Sequence, residues 1–286
     1  MILMVGATGL VGSATLRQLT VRGVPVRALV RSAEKASTLA GPGVETVIGD
    51  LEQPASLDAA LDGVTRALLI SHLNPHQVEW QGNFVEAARR AGVVHIVKLS
   101  GLGTALDSPL RSGRWHAQTE RHIADAGLPG TYLHPPFFMQ NILRSAAAIA
   151  TRGVFTASMH AGQIAMVDAR DVAAVAVAAL TSDGHEGKTY TLTGPESLSF
   201  QEVAQKLATA TGRPVSYQDV LLATMQQELV ATGLPAWLVD VRMEFATALR
   251  DGYAAVVTDT VQAVTGQPAR RFDAFAREHA ALFKGT

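Results

Sequence analysis

The apolar run Ile2-Leu3-Met4-Val5 passes directly into Gly6-Ala7-Thr8-Gly9-Leu10-Val11-Gly12. Four consecutive apolar residues read as a strand buried on both faces. The residues that follow read as a helix over 10–21. Strand, glycine turn and helix in this order leave few folds open. The glycines let the backbone turn sharply, let a ligand approach it closely, and let the helix pack on the sheet. The helix start presents free N–H groups and the positive end of its dipole, which suits a pyrophosphate. The pattern predicts a dinucleotide site at Gly6, Thr8, Gly9, Leu10, Val11 and Gly12. An ordinary glycine-rich strand–helix turn is the alternative reading.

The alternation continues, with strands expected over 26–30, 44–48, 67–70, 93–99 and 131–134 and helices over 78–91 and 114–126. Such alternation predicts an α/β fold with a Rossmann-type, doubly wound parallel sheet. After Pro135-Pro136 the pattern loosens. It suggests a helix over 140–150, a strand over 163–167, an alanine- and valine-rich helix over 171–180 and a strand over 189–193. Ser199 and Glu202 have the spacing of a capping box at a helix start. A short strand is expected over 214–217, and the signal is mostly helical from Leu221 onward. The division implied is a nucleotide-binding domain at 1–135, with strand returns from 150–195. A smaller, mainly substrate-side α/β lobe would occupy 136–286.

Of the 286 residues 48% are hydrophobic, enough for a substantial core, and the formal charge of −1 offers no basic surface for nucleic acid or anionic membrane. Without cysteine there are no disulfides, thiolate metal ligands or cysteine nucleophiles. No apolar run approaches the ~20 residues of a membrane span. The apolar start lacks a basic leader and reads as a strand, so a cytoplasmic protein is expected, monomeric or homodimeric, acting on a small molecule.

In such folds ligands lie outside the carboxyl ends of the strands, which singles out the residues there. Arg31 ends the second strand where an acidic residue would select NAD; with Lys35 nearby, it can pair with a 2′-phosphate. NADP(H) is therefore the expected cofactor, with NAD(H) possible. A solvated arginine, or one stacked on adenine, is the other option. Asp50 can accept from the adenine amino group while the Leu51 backbone completes that edge, or it can cap a helix near Pro54. Ser71 and His72 should line the nicotinamide ribose, and Ser100 and Gly101 the ring. In Arg114-Trp115-His116-Ala117-Gln118-Thr119-Glu120, His116 and Glu120 share a helix face. His116 can protonate or orient the acceptor, and Glu120 can hold the imidazole or stand as a surface ion-pairing residue. Ser100, His116 and Glu120 are the catalytic candidates. Pro136 and Phe137 are candidates for covering the nicotinamide. Trp115, His116, Phe137, Phe138, Met139 and Asn141 are candidates for the substrate pocket, or the proline–phenylalanine stretch is a packed hinge. Phe155, Met159, Trp237 and Phe245 are either further pocket wall or core.

Metal binding is not expected: Pro75 separates His72 from His76, and His116 and His122 have the wrong offset. A serine-hydrolase elbow is missing around Ser100. No tyrosine has a lysine four residues on, so the Tyr-x-x-x-Lys pair of short-chain dehydrogenases is absent.

These residues resemble the NmrA-like group of atypical short-chain dehydrogenase/reductases, above all its triphenylmethane reductase and NADPH-dependent quinone oxidoreductase branch. The match rests on Gly6 to Gly12, Val30-Arg31, Gly49-Asp50, Ala91 to Ile96, and His116-x-x-x-Glu120. Phe137 to Asn141, Asp168 to Ala173 and Gly187 to Pro195 extend it over nearly the whole chain. The resemblance implies NADP(H) binding and hydride transfer to quinones, dyes or similar acceptors, without the tyrosine–lysine pair. It also leaves open a nucleotide-binding redox sensor acting through a protein partner, and the fold admits a redox-neutral isomerase, epimerase or cyclase. His134 stands where the family often has arginine.

Overall fold

The computed structural model describes residues 1–285. In chain order the elements begin β1 (Ile2–Val5), α1 (Leu10–Val21), β2 (Val26–Val30), α2 (Ala33–Leu39), β3 (Val44–Ile48), a 3₁₀ turn (Pro54–Ser56) and α3 (Leu57–Leu61). Then come β4 (Arg66–Leu69), α4 (Gln77–Arg90), β5 (His95–Leu99), α5 (Arg111–Asp125) and β6 (Gly130–His134). A 3₁₀ segment (Met139–Ser145), α6 (Ala146–Arg152), β7 (Val154–Ala157), β8 (Gln163–Ile164), α7 (Ala169–Thr181), β9 (Thr189–Thr191) and β10 (Leu198–Ser199) follow. The chain ends with α8 (Phe200–Thr211), β11 (Ser216–Asp219), α9 (Leu222–Ala231), α10 (Ala236–Arg250), α11 (Thr260–Thr265), α12 (Phe272–Glu278) and α13 (Ala280–Lys284).

Two compact units result. The first comprises Met1–Ser108, Ser112–His134 and Val172–Thr191. It holds a seven-stranded sheet in the order β3-β2-β1-β4-β5-β6-β9, and every pair in it is parallel. Parallel strands buried on both faces must be largely apolar; β1 is so throughout, and β4 is so after its partly buried first residue, Arg66. Leu3, Val5, Leu69 and Ile96 pack against Leu57, Leu61, Phe84, Val85 and Ile123 in one core. The order reverses between β1 and β4, the switch point at which such sheets take ligands.

The glycine turn at that point is built as its spacing implies. Gly6 has φ +82°, and a Cβ there would stand 2.6 Å from the Ile70 carbonyl oxygen. A Cβ on Gly12 would collide with the carbonyl oxygen of Gly6, so α1 lies on the turn at a distance only glycine permits.

The second unit comprises Pro109–Arg111, Pro135–Asp171 and the described residues from Leu192 onward. It carries two small sheets, antiparallel β8–β10 and parallel β7–β11. Its buried Asp168 accepts from the backbone N–H, Nε and Nη2 of Arg170 at 2.8, 3.0 and 2.7 Å, and from Gln140 at 3.0 Å. Asp171 pairs with Arg270. Asp168 and Asp171 thus tie this unit together. The strand expected over 163–167 pairs only at Gln163 and Ile164, with a single bridge from Val167 to Phe138. The helix expected over 140–150 is a 3₁₀ segment followed by α6. Helix α2 and strand β7 were not anticipated.

Gly12→Ala should lose about 2 to 3 kcal/mol of stability in urea unfolding, the cost of overpacking against backbone that cannot yield. Gly41→Ala, where a Cβ meets nothing within 4 Å, should change stability little.

Candidate functional site

Since the strands run parallel, residues following β1, β2, β3, β4 and β5 lie along one edge of the sheet. At β1, α1 begins with Gly9 as N-cap, with no side-chain cap and no acidic residue in the first turn. The first intrahelical acceptor, Gly9 O, bonds Ser13 N at 2.8 Å, which leaves the N–H groups of Leu10, Val11 and Gly12 without helical partners. Thr8, Gly9 and Leu10 are exposed. An open helix start that no side chain neutralises fits a diphosphate.

At β2, Arg31 and Lys35 are both exposed, and neither cationic group has a protein partner among the described residues. Arg27, two turns of the pleat earlier, is by contrast committed to Glu45 at 3.0 Å and to the Ala60 and Asp62 carbonyls. Ser32 caps α2 by accepting from Lys35 N. Two unpaired cations at a strand end fit the 2′-phosphate that distinguishes NADP(H). Beyond β3, Asp50 accepts from the Glu52 N–H at 3.1 Å through one carboxylate oxygen. The turn at Pro54 is tied instead by Ser56, which accepts from Asp50 N at 2.9 Å, so Asp50 does not cap it. The Leu51 carbonyl is held by Asn83 at 2.9 Å.

Polar groups also stand beyond β4 and β5, those around Lys98 forming a connected set. Ser71 accepts from Gln81 at 2.6 Å, and exposed His72 packs against Trp80 with ring centroids 5.5 Å apart. Lys98 sits inside β5 at 0% exposure. Its Nζ donates to Ser100 Oγ at 2.8 Å and to His116 Nδ1 at 2.9 Å. Gln77 also donates to His116 Nδ1, at 3.3 Å. Ser100 donates in turn to Glu120 Oε1, and His134 Nε2 reaches the same oxygen at 2.9 Å. The Tyr132 hydroxyl bonds the Glu120 carbonyl at 3.1 Å. Gly101 accepts from Thr104 at 2.7 Å.

Burial pushes the Lys98 amine down to about 7, with the Glu120 charge opposing. Burial, then the Lys98 and His134 charges, hold His116 well below the usual histidine range. Tyr132 is pushed up to about 12 by burial and by Glu120.

One expectation changes, and one residue joins the site. Glu120 does not hold the His116 imidazole: its carboxylate serves Ser100 and His134, and Lys98 and Gln77 occupy His116 Nδ1 instead. Residue Lys98 was not singled out at all. Its signal was a lone lysine in the buried run Ile96-Val97-Lys98-Leu99, two residues from Ser100 and hence on the same strand face.

In the second unit, the Val167 N–H donates to the Phe137 carbonyl at 2.9 Å. The Phe137 ring stacks on Phe245 with centroids 6.5 Å apart and meets Phe200 edge-on at 6.4 Å. Phe138 and Asn141 are partly exposed, and Pro136 is buried. Met139 is 1% exposed, and Phe155 and Met159 are likewise buried, so these three are core and not pocket wall. Trp115 of the first unit is partly exposed, as is Trp237 of the second. Among the described residues no cluster of three His, Asp or Glu could hold a metal ion, and no helix is long and apolar enough to cross a membrane.

The chain is 44% identical over 283 residues to the NAD(P)H azoreductase of Xenophilus azovorans, covering 99% of each. Its fold is similar to that of the NADPH-dependent quinone oxidoreductase of Escherichia coli solved with NADPH, at a TM-score of 0.89 and 32% identity, covering 97% of this chain and 99% of that one. It is similar to the triphenylmethane reductase of Citrobacter sp. solved with NADP(H), at a TM-score of 0.86 and 30% identity, covering 98% and 99%. The NmrA-like family model matches residues 1–261, and the chain belongs to that family.

Proposed function

We infer that this chain is an NADPH-dependent reductase that passes hydride to a small aromatic or conjugated acceptor of the quinone, dye, azo, enone or imine kind. The observation that carries the reading is the edge of the parallel sheet. An uncapped helix start, two unpaired cations and a buried proton-bearing network stand along it in strand order. The relatives support the acceptor class, being an azoreductase, a quinone oxidoreductase and a triphenylmethane reductase by name.

On this reading Gly6, Thr8, Gly9, Leu10, Val11 and Gly12 hold the pyrophosphate, and Arg31 with Lys35 takes the 2′-phosphate. Asp50, through its second carboxylate oxygen, and the Leu51 N–H bind the adenine edge. Ser71, His72, Ser100 and Gly101 line the nicotinamide ribose and ring. When bound, NADPH supplies the hydride. The chain's own work is to position both partners, exclude water and handle the proton that accompanies reduction. At neutral pH His116 is an uncharged imidazole. Two donors meet its Nδ1, so its proton is on Nε2. It acts as a hydrogen-bond donor to the acceptor atom that gains negative character, a role that needs no tyrosine.

Purified protein should oxidise NADPH only when an acceptor from a panel of quinones, azo and triarylmethane dyes, enones and imines is added. Tight NADPH binding with no turnover on any of them would sink the reading. Arg31→Asp should weaken NADPH binding about tenfold to a hundredfold, the worth of a lost charge-assisted contact, and leave NADH binding nearly unchanged. Equal losses for the two cofactors would contradict the assignment of Arg31. His116→Ala should lower turnover about a hundredfold with NADPH affinity retained, as read by steady-state rates and fluorescence titration.

A further inference from the structure

Lys98 is a costly residue to keep where it is. A fully buried ammonium needs a partner for each of its protons. Here they are His116 Nδ1 at 2.9 Å, Ser100 Oγ at 2.8 Å and the Leu99 carbonyl at 3.4 Å. An ammonium only donates, so Nδ1 must be the acceptor. The bonds then have one consistent direction. Lys98 donates to His116 and to Ser100, Ser100 donates to Glu120, and His134 donates to the same Glu120 oxygen. The ionisable groups facing this network are His116 and Glu120 from α5 and His134 and Tyr132 from β6. His116 is its partly exposed end, and Lys98 its closed end.

A neutral imidazole that gives up its Nε2 proton becomes an anion unless Nδ1 gains one. We propose that Lys98 is a positioning residue that holds His116 as the Nε2–H tautomer and supplies a proton to Nδ1 as Nε2–H passes to the reduced acceptor. The inference rests on the reductase reading. The step balances. The acceptor, which has gained hydride from NADPH, takes the Nε2 proton; His116 becomes the neutral Nδ1–H tautomer; Lys98 becomes a neutral amine. Recovery runs the other way, since Lys98 itself has no route to solvent. Water protonates Nε2, and the Nδ1 proton returns to the amine. An amine held near 7 can give and regain a proton at neutral pH, whereas an ordinary lysine would keep it.

Three proteins test this: the wild type, Lys98→Met and Lys98→Arg. Methionine is apolar and of similar length, so it removes a buried charge without opening a cavity, and Glu120 keeps Ser100 and His134. Imidazole ¹⁵N spectra without cofactor, with the His116 signal assigned by His116→Gln, should show the Nε2–H tautomer in the wild type below about pH 7, where Lys98 keeps its proton. In Lys98→Met only the longer Gln77 bond is left on Nδ1, so the signal should move toward a tautomer mixture or imidazolium, and turnover should fall about a hundredfold with NADPH affinity unchanged. Lys98→Arg should restore the Nε2–H signal but not the turnover, because a guanidinium donates a hydrogen bond and keeps its proton. Wild-type turnover should decline as pH rises through about 7, and this limb should be absent from both variants. Wild-type spectra and turnover in Lys98→Met would overturn the proposal. Full turnover in Lys98→Arg would overturn the proton-supply role. If no acceptor oxidises NADPH on the wild-type protein, the reductase reading falls, and the spectra alone then decide whether Lys98 sets the tautomer.

Discussion

Parallel pairing is the constraint on which the first unit depends. It buries the inner strands β1, β4 and β5 on both faces and sends every strand's carboxyl end to one edge. Polar groups needed for chemistry can then stand only at that edge, or inside the sheet at a desolvation cost. The glycine turn meets the first condition: Gly12 lies against the Gly6 carbonyl, and the start of α1 is delivered to the edge with its N–H groups free. Lys98, like His95 and Thr131, is a polar residue buried inside the sheet. Its charge is tolerable because Ser100, His116 and, one bond away, Glu120 surround it.

On the proposed reading, that arrangement takes the place of the tyrosine–lysine pair that this chain lacks. The pair ordinarily combines a proton donor with a nearby ammonium that tunes it. In the role proposed for His116 the donor is an imidazole, and the Lys98 amine from a different element touches its inner nitrogen. The neighbouring charge and the burial both keep the imidazole uncharged. A neutral N–H donor can stabilise developing negative charge without first having to lose a proton of its own.

Much of the architecture was legible because its signals are local. Strands β1, β2 and β3 and helix α1 are bounded by glycine, apolar alternation and turn residues, and the structure places them where the pattern does. The Ser199–Glu202 capping box is present for the same reason. The edge residues Arg31, Asp50, Ser71 and Ser100 followed from topology alone. What escaped depends on contacts distant in sequence. Glu120 lies one helical turn from His116, yet its partners come from β5 and β6, and helical spacing carries no trace of them. His134 was visible only as a departure from family habit, and its bond to Glu120 gives that departure a structural meaning. Met139 reads as pocket wall beside two phenylalanines, but the 3₁₀ segment turns it into the core. Residues 163–167 have strand composition throughout, but only Gln163 and Ile164 find a partner strand.

Deuterium tracing tests the central claim most directly. The protein is mixed with NADPH deuterated at one face or the other of nicotinamide C4, and with an acceptor whose electrophilic centre is carbon, so that the label cannot exchange. The product is then weighed by mass spectrometry. Direct hydride transfer in a fixed geometry predicts that the deuterium of one face, and not the other, appears in the reduced acceptor. Unreduced acceptor and unoxidised NADPH, or a product carrying label from neither face, would contradict the account.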